Sequence, residues 1–240
     1  IPENRKLTHL PVLAKNTNGW KQLLKIIHAS NLPDHYYYKP RLSLDQLSEF
    51  LDGNIIGFSG HLGSHIARTV EEYGEKAATQ AALNMQEMFG KGNFYLEVQL
   101  MDSVNTPAQI QLTETIRSIS KTTGIPIIAT PDAHYQHKED VENQRVLLCS
   151  NMHVTMREAN HPDFQLRTFF RSDNFHIPSY EEMIAYGHTE EELENTNKVL
   201  AQVEKYDILR DPQLPQFPCP NDQTPDEYLR ELCRGGWKEL

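Results

Sequence analysis

The chain has 240 residues, with 33 acidic and 23 basic side chains, a formal net charge of −10, and hydrophobic residues at 38%. That composition suits a soluble globular chain and excludes wholesale disorder, while the longest apolar runs, around Ile55 to Phe58 and Ile125 to Ala129, fall far short of the roughly 18 residues of a membrane span. The negative excess disfavours a general grip on a nucleic-acid backbone, so any nucleic-acid chemistry has to be local.

The first residues, Ile1-Pro2-Glu3-Asn4-Arg5-Lys6, include neither an initiator Met nor an apolar signal core, so the chain is expected to be a piece of something longer. A helix is expected near 17–30. Residues 11–42 carry five basic groups (Lys15, Lys21, Lys25, Lys39, Arg41) against Asp34, with Tyr36, Tyr37 and Tyr38 interleaved. Aromatics beside positive charge can stack unpaired bases, and ordinary solvated surface is the alternative. Further helices are expected near 43–51, 63–90, 106–123, 139–149, 179–186, 190–206 and 225–238. Several start at capping boxes, in which a cap hydroxyl and a Glu or Gln three residues on satisfy each other's free amides: Ser43 with Gln46, Thr106 with Gln109, Ser179 with Glu182, Thr189 with Glu192 and Thr224 with Glu227. Between them lie three β-type runs, Asn54 to Ser59, Asn93 to Gln99 and Pro126 to Thr130, flanked by Gly or Pro. Strands alternating with helices predict an α/β fold with a largely parallel sheet. Segment 150–178 reads as irregular, with one short strand near Thr168 to Arg171. Five prolines between Asp211 and Pro225 have linker composition, and the amphipathic helix after them begins a separate region. Three scattered cysteines, Cys149, Cys219 and Cys233, read as reduced cytosolic thiols.

Ligands in parallel α/β folds gather at the carboxyl ends of strands, and two of the three runs end in metal-competent side chains. The first ends Ser59-Gly60-His61; the last ends Thr130-Pro131-Asp132-Ala133-His134. In an extended segment residues two apart point the same way, so Asp132 and His134 can face one ion together. His61 is open to a plain reading as a turn residue, and His65 to one as a solvated helical neighbour. Glu97, among Tyr95, Leu96 and Val98, reads as a buried, hydrogen-bonded carboxylate. His28, His153, His161, His176 and His188 read as structural. The chain has neither a glycine-rich phosphate loop nor a nucleophile elbow.

The stretch Thr8-His9-Leu10-Pro11-Val12-Leu13-Ala14-Lys15-Asn16 with Gly19-Trp20, then Ser59 to Gly63, Asn93 to Gln99, Gly124 to Tyr135, Leu214 to Pro218 and Thr224 to Cys233, occur in the order found in one family. Together they resemble the PHP domain of the bacterial DNA polymerase III alpha subunit. The resemblance implies part of a distorted seven-stranded β/α (TIM-like) PHP barrel over 1–210, lacking its N-terminal strands, a Pro-rich linker over 211–224 and the start of the polymerase palm over 225–240. It implies up to three divalent metal ions, zinc or manganese, held by His9, His61, Asp132 and His134, with Asp132 and His134 also catalytic. Position 61 is His where that family usually has Cys, and Pro131 stands where Asn usually precedes the Asp. The family's opening His-x-His block would lie upstream. The implied activities are DNA-directed DNA polymerisation by the parent and a 3′–5′ exonuclease or phosphodiesterase site in the PHP domain, with an inert scaffold as the alternative. The implied partners are DNA, the palm and other domains of the parent polymerase and a proofreading exonuclease subunit, in the cytoplasm and without a membrane. A free-standing histidinol-phosphatase-like enzyme is disfavoured by the palm-junction residues after Pro212.

Overall fold

Alternation of β-type runs with capped helices produces a mixed α/β structure, seen in a computed structural model that describes residues 7–102, 106–164, 170–209, 211–212, 214 and 216–239. The chain divides into two units, Ile1–Tyr206 and Asp207–Leu240. In the first unit, β1 (Val12–Ala14), β4 (Ile55–Phe58), β5 (Phe94–Val98) and β6 (Ile127–Ala129) form one sheet in the order β1-β4-β5-β6. β4, β5 and β6 run parallel, while β1, which carries no strong strand signal, pairs antiparallel with β4 through Val12↔Gly57 and Ala14↔Ile55. A separate hairpin joins β2 (Tyr36–Tyr37) to β3 (Lys39–Pro40).

Strand alternation sorts side chains onto two faces. Phe94, Leu96 and Val98 turn to the larger core, built with Ile66 of α3 (His65–Tyr73), Ala78, Ala82 and Met85 of α4 (Glu75–Phe89), and Ile116 and Ile119 of α5 (Ala108–Thr123). Tyr95 turns the other way and packs with Ile56, Ile128 and Val199, the last on α9 (Glu190–Leu200). Both faces of the parallel strands are buried, which is why these runs are apolar almost throughout. α1 (Thr17–Ser30) precedes the hairpin and α2 (Leu44–Ser48) follows it. α6 (Val141–Met152), α7 (Met156–Ala159) and α8 (Tyr180–Ala185) lie between β6 and α9. The second unit contains α10 (Pro225–Glu239), on which Leu229, Leu232 and Trp237 are exposed.

The capping boxes at Ser43, Ser179 and Thr189 form as expected, as does that at Thr224. Thr106 and Gln109 do not form theirs. Instead Gln109 Oε1 accepts the backbone N–H groups of Met101 and Asp102 at 3.3 and 3.2 Å, satisfying the buried turn after β5. The single helix expected over 63–90 is two helices, broken where Gly74 adopts φ +82° and an extended ψ, a conformation open to glycine that cannot continue a helix. Of the strand expected near Thr168 to Arg171, 168–169 lie outside the described residues, and Phe170 and Arg171 are helical.

Candidate strand-end site

The parallel register brings the carboxyl ends of β4, β5 and β6 side by side. From β6 the chain continues extended through Thr130 and Pro131, and the two-residue spacing places Asp132 Oδ1 3.3 Å from His134 Nε2. Both side chains are partly exposed, at 46% and 35%. The segment is pinned from behind: the His134 backbone N–H donates to Phe175 O at 2.7 Å, the His134 ring meets Phe175 edge-on at 5.6 Å, and Tyr135 bridges to His176. Extended geometry therefore does aim this acid–imidazole pair outward together, as its spacing predicts.

Glu97 lies on the Tyr95 face of β5, just below that pair, and is 4% exposed. Its Oε1 accepts the Thr130 hydroxyl at 2.5 Å and the Gln99 amide at 3.2 Å. Its Oε2 is buried without a hydrogen bond, the nearby Gly60 amide favouring the charged form without completing one. Burial pushes the carboxyl up from its ordinary value, the neighbouring Asp132 adds to that rise, and the Thr130 and Gln99 bonds, with the nearby Gly60 amide, only oppose it. The sequence reading of a hydrogen-bonded buried carboxylate holds for one oxygen and misses the other. The available signal was the alternation that puts Glu97 on the same face as the end of β6.

His61 lies inside the fold. After Ser59 the chain turns at Gly60, φ +73°, and the His61 ring enters the interior at 4% exposure with Nε2 3.4 Å from the Thr113 hydroxyl of α5. Burial, with a smaller contribution from His188, lowers its pKa to about 4, so the ring is neutral at physiological pH. His188 is itself buried. Its Nε2 accepts the Leu100 N–H at 3.2 Å and its Nδ1 lies 3.6 Å from Glu192 Oε2. Arg117 grips both oxygens of Glu192 at 2.7 and 3.0 Å. Burial works to raise the Glu192 pKa, but the His188 and Arg117 contacts outweigh it and hold the carboxylate near 2. His61 thus belongs to a buried polar seam joining β4, α5 and α9.

His9 sits at the surface beside the same turn. Its N–H donates to Gly63 O at 2.9 Å, and its ring lies where a Cβ on Gly63 would fall. The structure thus unites two of the four expected donors, Asp132 and His134. Among the described residues no three His, Cys, Asp or Glu side chains are grouped so that they could hold one ion. In a turn, backbone direction and neighbouring volume decide where an imidazole goes, and here the His61 ring lies beside α5. His176 pairs with Glu182 at 3.1 Å, consistent with a structural role, and His65 starts α3.

The PHP domain family model matches residues 1–100, a span that includes His9 and His61 and stops short of Asp132 and His134. The DNA polymerase III subunit alpha of Borreliella burgdorferi is 31% identical over 238 residues, covering 96% of this chain and 19% of that protein. This chain is homologous to DNA polymerase III alpha subunits over more than nine-tenths of its length. The corresponding subunits of Deinococcus radiodurans and Bacillus subtilis are 31% and 30% identical, over 92% and 95% of this chain and 16% and 19% of their own length. The chain spans about a fifth of the length of the curated relatives it matches. Among the described residues no helix is long and apolar enough to cross a membrane.

Proposed function

We propose that this chain is the PHP portion of a replicative DNA polymerase alpha subunit, its sheet part of a distorted seven-stranded barrel. The ends of β4 to β6 carry part of a divalent-metal phosphodiesterase site that removes nucleotides from the 3′ end of a DNA strand. The Asp132–His134 pair, 3.3 Å apart and open to solvent, carries this reading, with the unpartnered Glu97 Oε2 buried behind it. An anionic oxygen and an imidazole nitrogen aimed together are a donor set that suits zinc or manganese. The fit is half of a site: Asp132 and His134 would hold the ion, and further donors would come from a longer polypeptide. When bound, such an ion supplies Lewis-acid stabilisation of phosphate charge and lowers the pKa of water. The chain's own contribution is positional, since Thr130 and Gln99 hold Glu97, and Phe175 and Tyr135 hold the His134 segment. Polymerisation, the palm that would begin near Thr224, docking of a proofreading subunit and a cytoplasmic location belong to the same reading of the parent.

The burial of His61 against Thr113 and His188 favours a second reading, in which the domain braces the polymerase without hydrolysing anything. One experiment separates them. A longer polypeptide that includes the family's opening His-x-His block is incubated with end-labelled single-stranded DNA and Mn²⁺ or Zn²⁺, beside Asp132→Asn. The expected result is nucleotide release and a metal-dependent rise in melting temperature, both lost in Asp132→Asn. Equal release by both proteins would reveal a contaminating nuclease. Neither release nor a thermal shift with any metal would leave the scaffold reading standing.

A further inference from the structure

We propose that the β2–β3 hairpin and the outer face of α1 form a binding surface for an unpaired DNA strand. The hairpin turns on Tyr38, which adopts φ +58° and is 83% exposed. A left-handed conformation at a hairpin tip is ordinarily met by Gly, Asn or Asp, and a bulky aromatic there is a backbone outlier. The other non-glycine residues with positive φ among those described have ordinary accounts: His153 caps the end of α6, and Asn221 and Asp222 are of types that tolerate the region. An aromatic kept at a strained and solvent-facing position costs stability, and such outliers cluster at ligand-binding positions.

The tip is also fixed in place. His35 Nδ1 lies 2.7 Å from Ala29 O at the end of α1, and its Nε2 lies 2.9 Å from Gln46 Nε2 on α2. One tautomer serves both, with Nδ1–H donating to the carbonyl and Nε2 accepting from the amide. The hairpin therefore presents Tyr36, 51% exposed, and Tyr38 from a clamped base. Lys21 and Lys25 are exposed on α1, among the exposed apolar side chains Leu24 and Ile27, and Lys39 is exposed on β3. The stretch 11–42 has five basic groups against one acidic in a chain of net charge −10, so its sign is locally reversed; Asp34 and Asp45 are the exposed acids nearest in sequence. Cations beside exposed aromatic rings match a polyanion that also offers flat apolar faces, which is an unpaired nucleic-acid strand. A duplex hides those faces in its own stack.

This surface deepens the DNA reading above but is tested by binding alone, with EDTA present, so its failure leaves the strand-end site untouched. Fluorescence anisotropy of labelled dT20, and of a 20-base-pair duplex, is measured with the 240-residue chain at several salt concentrations. The expected result is preference for dT20 and affinity falling with salt. Tyr38→Gly, which removes the ring and suits φ +58°, should weaken binding about tenfold while leaving the melting temperature unchanged or slightly raised. Lys21→Glu with Lys25→Glu should weaken binding and flatten the salt dependence. No binding at low salt, equal affinity for duplex and dT20, wild-type affinity in Tyr38→Gly, or unfolding of Tyr38→Gly would each overturn the proposal.

Discussion

The buried state of His61 has a consequence that can be measured through pH. Its folded pKa is about 4 against 6.5 for the free side chain, so below pH 6.5 the unfolded chain takes up a proton that the folded chain refuses until about pH 4. The stability tied to a neutral His61 is therefore complete above pH 6.5 and is lost progressively as the pH falls towards 4. Across the whole window this amounts to roughly 3 kcal/mol at about 1.4 kcal/mol per pH unit. Between pH 7.5 and 5.0, above most carboxylate titration, it is about 2 kcal/mol. For a chain of this size that corresponds to a fall of about 4–8 °C in melting temperature. Glu192, held near 2 against an ordinary 4.5, keeps its contribution above about pH 4.5 and loses it as the pH falls towards 2, so it scarcely changes between pH 7.5 and 5.0. Urea denaturation at pH 7.5 and 5.0 of wild type and His61→Gln reads the difference. The variant should be less stable at pH 7.5 and show a shallower loss down to pH 5.0. Parallel losses in the two proteins, or an NMR titration of the His61 imidazole near pH 6.5, would refute the placement of this ring in the wall between β4 and α5.

Two further substitutions test the packing that shapes the site. A Cβ on Gly57 would fall 2.5–2.7 Å from ring atoms of Phe89, a side chain 2% exposed and stacked on Phe94 at 5.8 Å. Gly57→Ala should therefore cost about 1–3 kcal/mol in urea unfolding, and Phe89→Leu in the same chain should recover part of it; an unchanged midpoint would show that the ring can step aside. Arg117→Ala removes the fork that holds Glu192 between α5 and α9 and leaves a buried carboxylate without its main cation. The expected cost is roughly 3 kcal/mol, read as an earlier unfolding midpoint at pH 7, and a cost below about 1 kcal/mol would mean that His188 alone suffices for Glu192.

The features legible in the sequence are those decided within a few residues of themselves. The boxes at Ser43, Ser179, Thr189 and Thr224 form because cap and partner lie one helical turn apart. Asp132 and His134 meet because an extended segment points alternate side chains the same way. The apolar runs of β4, β5 and β6 reflect burial on both faces. Where the outcome depended on distant partners, local patterns were insufficient. Gln109 left its box for the buried amides of Met101 and Asp102, and Gly74 divided a helix that periodicity joined. The ring of His61 could have faced solvent, a metal or the core, and the choice fell to Thr113 and His188, 52 and 127 positions away along the chain. Glu97 became a carboxylate with one unsatisfied oxygen only when β6 brought Thr130 and Asp132 beside it. Secondary structure and the Asp132–His134 pair follow from local hydrogen bonding and side-chain periodicity. Which buried polar groups are paired, and which are left facing the site, was decided by the packing of elements far apart in sequence, because only the folded chain sets the volume, dielectric and partners around each group.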